Sequence, residues 1–222
     1  MADHMIKLSE VPKGQKWQYL WDYYRFPALA AVIGLILVIS LVKTIFFTPK
    51  ADVGIIFTTE LGLSDSEGEK FDKAVNDALE DYNGDGKKLA DTTRLAYSET
   101  SAQSDPQYAQ AVLTKISVEL AAGNDILQIC DDKLYPTYEG NGCLATYKVF
   151  SDFGVDIKHT GDDSEIVKIP FSEIKAFSAI KSANGAEMYL TVRPPMEKWY
   201  TNEKQRKNYT DQLKFIAKLV NE

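Results

Sequence analysis

Residues 26–47, FPALAAVIGLILVISLVKTIFF, hold one charge, Lys43, in 22 positions. A helix rising about 1.5 Å per residue makes that run about 33 Å long, the thickness of a bilayer's hydrocarbon core. The mean hydropathy of −0.25 hides it, because the rest of the chain is polar enough to offset it. A cleaved signal peptide is the competing reading, since basic residues precede the run. The run is longer than a signal sequence's apolar core, however, and Thr48-Pro49-Lys50-Ala51 offers no small-residue cleavage site. The sequence therefore predicts an uncleaved signal anchor and three parts: a cytoplasmic juxtamembrane segment (1–25), a transmembrane helix (26–47) and an extracytoplasmic domain (48–222).

Orientation follows from the flanking cations. Lys7, Lys13, Lys16 and Arg25 precede the run, while Lys43 and Lys50 lie at its far end. The excess of positive charge places the N-terminus in the cytoplasm and the large domain outside the cell membrane. Trp17, Tyr19, Trp21, Tyr23 and Tyr24 on one side, and Phe46 and Phe47 on the other, are aromatic edges of the kind that settle at the headgroup layer. Residues 1–48 carry a net charge of +2 and residues 49–222 a net charge of −9. An acidic domain has no electrostatic case for nucleic acid, and that class of partner is set aside.

The domain reads as α/β. Residues 51–59 are β-branched and aromatic, and predict a strand. Ser64 to Glu67 has the spacing of a capping box, and Phe71, Val75, Ala78, Leu79 and Tyr82 recur along one helical face until Asn83-Gly84-Asp85-Gly86 stops it. Residues 93–99 predict a second strand. Asp105 with Pro106 opens a helix along Tyr108, Val112, Ile116 and Leu120 that Gly123 ends. Residues 125–130 make a third strand, and strand, helix, strand, helix, strand is the pattern of a mainly parallel sheet. Beyond it the signal weakens: a helical turn over 133–138, a strand or extended segment over 144–150, a polar loop over 154–164, strands over 166–171 and 187–192 with a helical stretch between, and a closing helix over 203–220.

The stretch Glu119-Leu-Ala-Ala-Gly123 followed by Asp125-Ile126 resembles the first lobe of extracellular solute-binding proteins of ABC importers, in which a helix ending in small residues leads into an Asp-initiated strand. The resemblance covers roughly residues 51–150, with Asn124 standing where the family places proline. It implies a single lobe of that fold, without the second lobe that closes on a trapped solute. The entry Trp17-Gln-Tyr-Leu-Trp-Asp-Tyr-Tyr24, the anchor and the Asn-Gly-Asp-Gly turn are also similar to those of single-pass membrane proteins of Gram-positive bacteria, which implies a location and a fold but no chemistry.

Candidate sites are few. Thr58, Thr59 and Glu60 follow the first strand, Tyr97 and Glu99 close the second, and Asp131 and Asp132 follow the third. Ligands of open α/β sheets bind at such ends, and these groups suit a small polar or cationic ligand; an ordinary polar rim is the alternative. Asp81, Asn83 and Asp85 with Gly86 match the opening of a calcium loop, but its twelfth position is Thr92, with Asp91 one residue early. A helix-stop turn is the simpler reading and a weak calcium site the other. Cys130 and Cys143 are a disulfide candidate in an oxidising compartment, or two buried thiols. No G-x-S-x-G, H-E-x-x-H or phosphate loop is present. The expectation is a non-catalytic binding or assembly subunit without cofactor, partnered by the bilayer and by a membrane protein complex of the ABC transporter type. The alternative is a ligand or calcium sensor using the strand-end crevice or the turn over 81–91.

Overall fold

The computed structural model describes residues 12, 14, 16–47 and 50–221, with the side chains of 16, 18–20, 22–24 and 45–47 outside that description. The chain divides into two units, Met1–Thr48 and Pro49–Glu222.

The first unit is a helix, α1 (Lys16–Phe47). Its segment Arg25–Thr44 has a mean hydropathy of 2.4 and none of it is buried, so the helix is long and apolar enough to cross a membrane. Apolar side chains lie on every side of it: the consecutive residues Leu35, Ile36, Leu37 and Val38 are all exposed. Pro27 falls inside the helix, where it withholds one backbone donor just as the apolar segment begins. Trp17 and Trp21 are exposed at its start. The expected aromatic edges at Tyr19, Tyr23, Tyr24, Phe46 and Phe47, and the flanking Lys7, Lys13 and Lys16, fall on side chains outside the described ones.

The second unit is α/β. Its elements are β1 (Val53–Thr59), α2 (Asp65–Ala78), β2 (Ala90–Ala96), α3 (Glu99–Ser104), α4 (Pro106–Ala122), β3 (Leu127–Asp131), α5 (Tyr135–Gly140), α6 (Lys148–Asp152), β4 (Lys168–Pro170), β5 (Met188–Val192), α7 (Glu197–Thr201) and α8 (Glu203–Asn221). The strands form one sheet in the order β2-β1-β3-β5-β4. β1 runs parallel to both β2 and β3, with Val53 opposite Ala90 and Ile55 opposite Leu127. β5 is antiparallel to β3 and to β4. The mainly parallel expectation therefore holds for the first three strands, while the whole sheet is mixed. The antiparallel strand enters from the second half of the chain, between β3 and the edge.

Alternation along the strands builds two layers. Val53, Ile55 and Phe57 of β1 and Leu127 and Ile129 of β3 face one cluster with Phe71 and Val75 of α2 and Leu213 and Ile216 of α8. Ile56 and Cys130 face the other way, onto Val112, Ile116 and Leu120 of α4 and Tyr138 of α5. Gly54 lies where the β1 backbone approaches residues 124–125: a Cβ there would stand 2.6 Å from Asp125 Oδ1 and 2.9 Å from the Asn124 carbonyl.

Local differences from expectation have physical causes. Ser64 caps α2 by accepting from Glu67 N, but the Glu67 carboxylate turns to Lys70 and to the backbone of Lys181 instead of closing a capping box. α2 ends at Ala78, before Asn83. A capping box does form at Ser98–Ser101, opening α3. The end of the expected extended segment, from Lys148 on, is instead helical as part of α6, where Val149 and Phe150 point into the core from a single turn. The expected helical stretch after Phe171 reduces to a 3₁₀ turn, Phe171–Glu173, followed by further turns.

Candidate functional site

β1 leads through α2 to β2 on one side, and β2 leads back across β1 to β3 on the other, so the C-terminal ends of β1 and β3 flank the topological switch point of the parallel part of the sheet. Open α/β sheets bind ligands at such a point. Here the chain closes the position with its own groups. Asp131 is fully buried, and its Oδ2 accepts from Glu60 N at 2.6 Å while Oδ1 accepts from Lys133 N at 3.2 Å and Leu134 N at 3.0 Å. Thr58, also fully buried, shares a 2.5 Å hydrogen bond between its hydroxyl and that of Tyr138. Thr59 Oγ1 accepts from Gly62 N at 2.9 Å. Burial holds the Tyr138 hydroxyl well above the usual phenol range, and it stays neutral.

Outside this plug lies a polar rim. Glu60 accepts from Asn184 Nδ2 at 3.0 Å, which ties the turn after β1 to the turn before β5. Asp132 receives Tyr189 Oη at 3.3 Å and Lys168 Nζ at 3.5 Å. The Lys168 ammonium stands 4.1 Å from the ring centres of both Tyr135 and Tyr189, so a cation lies between two aromatic faces. Tyr97 joins through its backbone, donating to the Thr59 carbonyl at 3.0 Å. Glu99 sits exposed in the first turn of α3 and, among the described residues, shares no hydrogen bond with the others. Of the seven residues expected to line a crevice, the structure thus gathers Thr58, Thr59, Glu60, Asp131 and Asp132, attaches Tyr97 by its main chain, and leaves Glu99 apart. The sequence reading omitted Tyr138, Lys168, Tyr135 and Tyr189. Tyr189 was legible as a strand residue, but that it meets Lys168 depends on the β4–β5 register.

The turn over 81–91 uses its own oxygens. Asp81 accepts from Gly84 N at 2.8 Å and Gly86 N at 2.9 Å, Asn83 Oδ1 from Asp85 N at 2.9 Å, and Asp85 from Lys87 N at 2.9 Å. Asp91 and Thr92 lie in β2, paired with Gly54 and Ile55. Among the described residues no group of three or more His, Cys, Asp or Glu side chains is placed to hold a metal ion. The turn is anchored from beneath by Asp52, a buried residue outside the expected set, which accepts from Tyr82 N, Asn83 N and Leu89 N at 2.9 to 3.0 Å.

Cys130 and Cys143 are buried free thiols in the cluster around Tyr138. Burial pushes the Cys130 thiol up to about 12, far from the range of a nucleophilic thiolate. The carboxyl displaced furthest is Asp125, just before β3: burial, with Glu119 and Asp91 adding repulsion, pushes it up to about 6. Among the described residues its Oδ2 has no hydrogen-bond partner, and neither has the buried Nε of Arg193. Comparison with protein-family models, with curated proteins and with solved structures finds no match.

Proposed function

We propose that the chain is a membrane-anchored, extracytoplasmic and non-catalytic binding or assembly subunit, its domain a single lobe of the solute-binding type and its partner a membrane protein complex of the ABC transporter class. The observation that carries this reading is the closed strand end. Where a solute would contact β1 and β3, the Asp131 carboxylate and the Thr58 hydroxyl are fully buried and already bonded within the chain. A domain that fills its own crevice has its outer surface left for recognition. The apolar helix α1 supports attachment to a bilayer, and the cation bias around it supports an N-terminus on the cytoplasmic side.

The test is purification of the full-length chain from its native membrane in mild detergent, with mass spectrometry of what travels with it. A transporter subunit in fixed ratio is the expected result. A stoichiometric small solute recovered with the chain, or hydrolase activity that segregates with it, would overturn the proposal.

A further inference from the structure

α2 turns Phe71, Val75 and Ala78 to the core, and beside that stripe runs a second one, Lys70, Lys73, Ala74 and Asp77, with the same three- and four-residue spacing. Across from it the chain from Phe171 to Ile180 advances in three-residue turns: Ile174 N donates to the Phe171 carbonyl, Phe177 N to that of Ile174, and Ile180 N to that of Phe177. These four side chains are buried, so Lys175, Ala176 and Ala179 between them turn outward. The two walls flank a groove of about 410 Å³ whose floor includes Ala78, Ile180 and Leu219, each of them buried. Glu67 fastens the walls together, accepting from Lys70 Nζ at 2.6 Å and from Lys181 N at 3.0 Å.

The rims of this groove are basic, in a domain of net charge −9. Lys70 and Lys73 stand on one wall and Lys175 on the other, against a single carboxylate, Asp77. Lys70 is held by Glu67, and the nearby acids Asp72 and Glu80 are engaged by Arg94 and Lys218. Among the described residues Lys73 and Lys175 make no ion pair within the chain. We infer that the groove takes an amphipathic helix of a partner protein, its apolar stripe on the floor and acidic side chains along both edges of that stripe. The uncommitted cations on opposite walls select the acids by complementarity. A helix can set acids on both sides of one apolar stripe, whereas an extended segment sends successive side chains to opposite faces. Ala74, Ala176 and Ala179 are small enough for the helix axis to approach closely.

The contact is short. From Lys70 to Ala78 α2 rises about 12 Å, which accommodates about two turns of a bound helix and covers well under the ~800 Å² per partner of a standard interface. Attachment of both proteins to one bilayer raises their effective concentration and makes so small a groove sufficient. That step rests on the assembly reading proposed above, to which the groove gives a place on the domain.

The experiment uses the full-length chain in phosphatidylcholine nanodiscs and a short dye-labelled helical peptide, a leucine stripe flanked on both sides by glutamate, followed by fluorescence anisotropy against empty nanodiscs. The same peptide with lysine in place of glutamate is the control. The glutamate peptide is expected to bind about tenfold more tightly than the lysine peptide, and to lose about tenfold in the double variant Lys73→Glu with Lys175→Glu. The neutral pair Lys73→Gln with Lys175→Gln should lose about threefold, which tests the charges without adding acid to α2. Ala176→Trp, which fills the groove and keeps its charges, should weaken binding as much as the reversals do. Equal binding of the two peptides, binding unchanged by the charge variants, or binding that survives Ala176→Trp would each overturn the inference. Displacement of the peptide by dodecanoate at lower concentration would assign the groove to an anionic lipid, and a dimer of the chain that the peptide dissociates would assign it to a second copy; either result overturns it as well. Melting of the purified variants checks that they are folded. Peptide binding needs no transporter subunit and co-purification needs no peptide, so the two proposals fail independently.

Discussion

Asp52 and Asp131 stand just before β1 and at the end of β3, and each is a buried carboxylate that accepts three backbone N–H bonds. A carboxylate has acceptor capacity on both oxygens, and three converging donors compensate its desolvation. Asp131→Asn keeps the size but turns an NH₂ toward donors, so we expect a loss of about 1–3 kcal/mol in urea unfolding at pH 7. A variant as stable as the parent would show that the Asp131 bonds are not what fastens the strand end. Asp125 is the opposite case, a buried carboxyl with one orphaned oxygen. Its ordinary value is 3.8 and its folded value about 6, so the folded state holds the proton more tightly than the unfolded chain. Stability from this group is therefore highest below pH 4 and falls as pH rises toward and through 6, by about 1 kcal/mol once partial hydration is allowed for. Asp125→Asn should flatten the melting temperature between pH 4 and 6 relative to the parent; an unchanged slope would assign the pH dependence elsewhere. Gly54 belongs to the same corner. Gly54→Ala places a methyl against Asp125 and the Asn124 carbonyl, and we expect about 2 kcal/mol of destabilisation, measured by the same unfolding.

At the scale of elements, what was legible was what is local and periodic. β1, α2, α4, β3, β5 and α8 follow from alternation, from helical spacing such as Val112-Ile116-Leu120, and from punctuation such as Gly123, which ends α4 with φ 69°. What was not legible depends on partners far along the chain. The strand expected over 166–171 forms, but only as the three residues Lys168–Pro170, its length set by its pairing with β5. Val149 and Phe150 read as extended by composition and turn helical because core contacts outweigh propensity. The candidate site divides likewise. Thr58 and Asp131 were legible as strand-end residues, but whether their oxygens meet water or backbone donors is decided by α5 and the turn after Thr59. The edge strand supplies a prediction at this scale. Lys168 bridges Tyr135 of α5 and Tyr189 of β5, so Lys168→Met should cost about 1 kcal/mol and speed hydrogen exchange at Ile169 and Leu190, while amides of β1 stay protected. Equal exchange in parent and variant would mean that the backbone ladder alone holds β4.

For the whole molecule, the decisive fact is where its apolar contacts are drawn from. The described residues of both hydrophobic clusters run from Val53 in β1 to Val220 in α8, within the second unit. α1 in turn exposes its apolar side chains on all sides and buries none of the segment Arg25–Thr44. The helix is thus long and apolar enough to cross a membrane, while the acidic domain's net charge of −9 favours solubility. The domain's stability should then be independent of the helix. A chain starting at Lys50 is expected to be soluble without detergent and to unfold in urea in one cooperative step, with circular dichroism and the fluorescence of Trp199, buried on Tyr209, changing together. Non-coincident transitions, or a domain that folds only when the helix is restored, would mean that α1 contributes to the fold and would remove the basis for treating the two units separately.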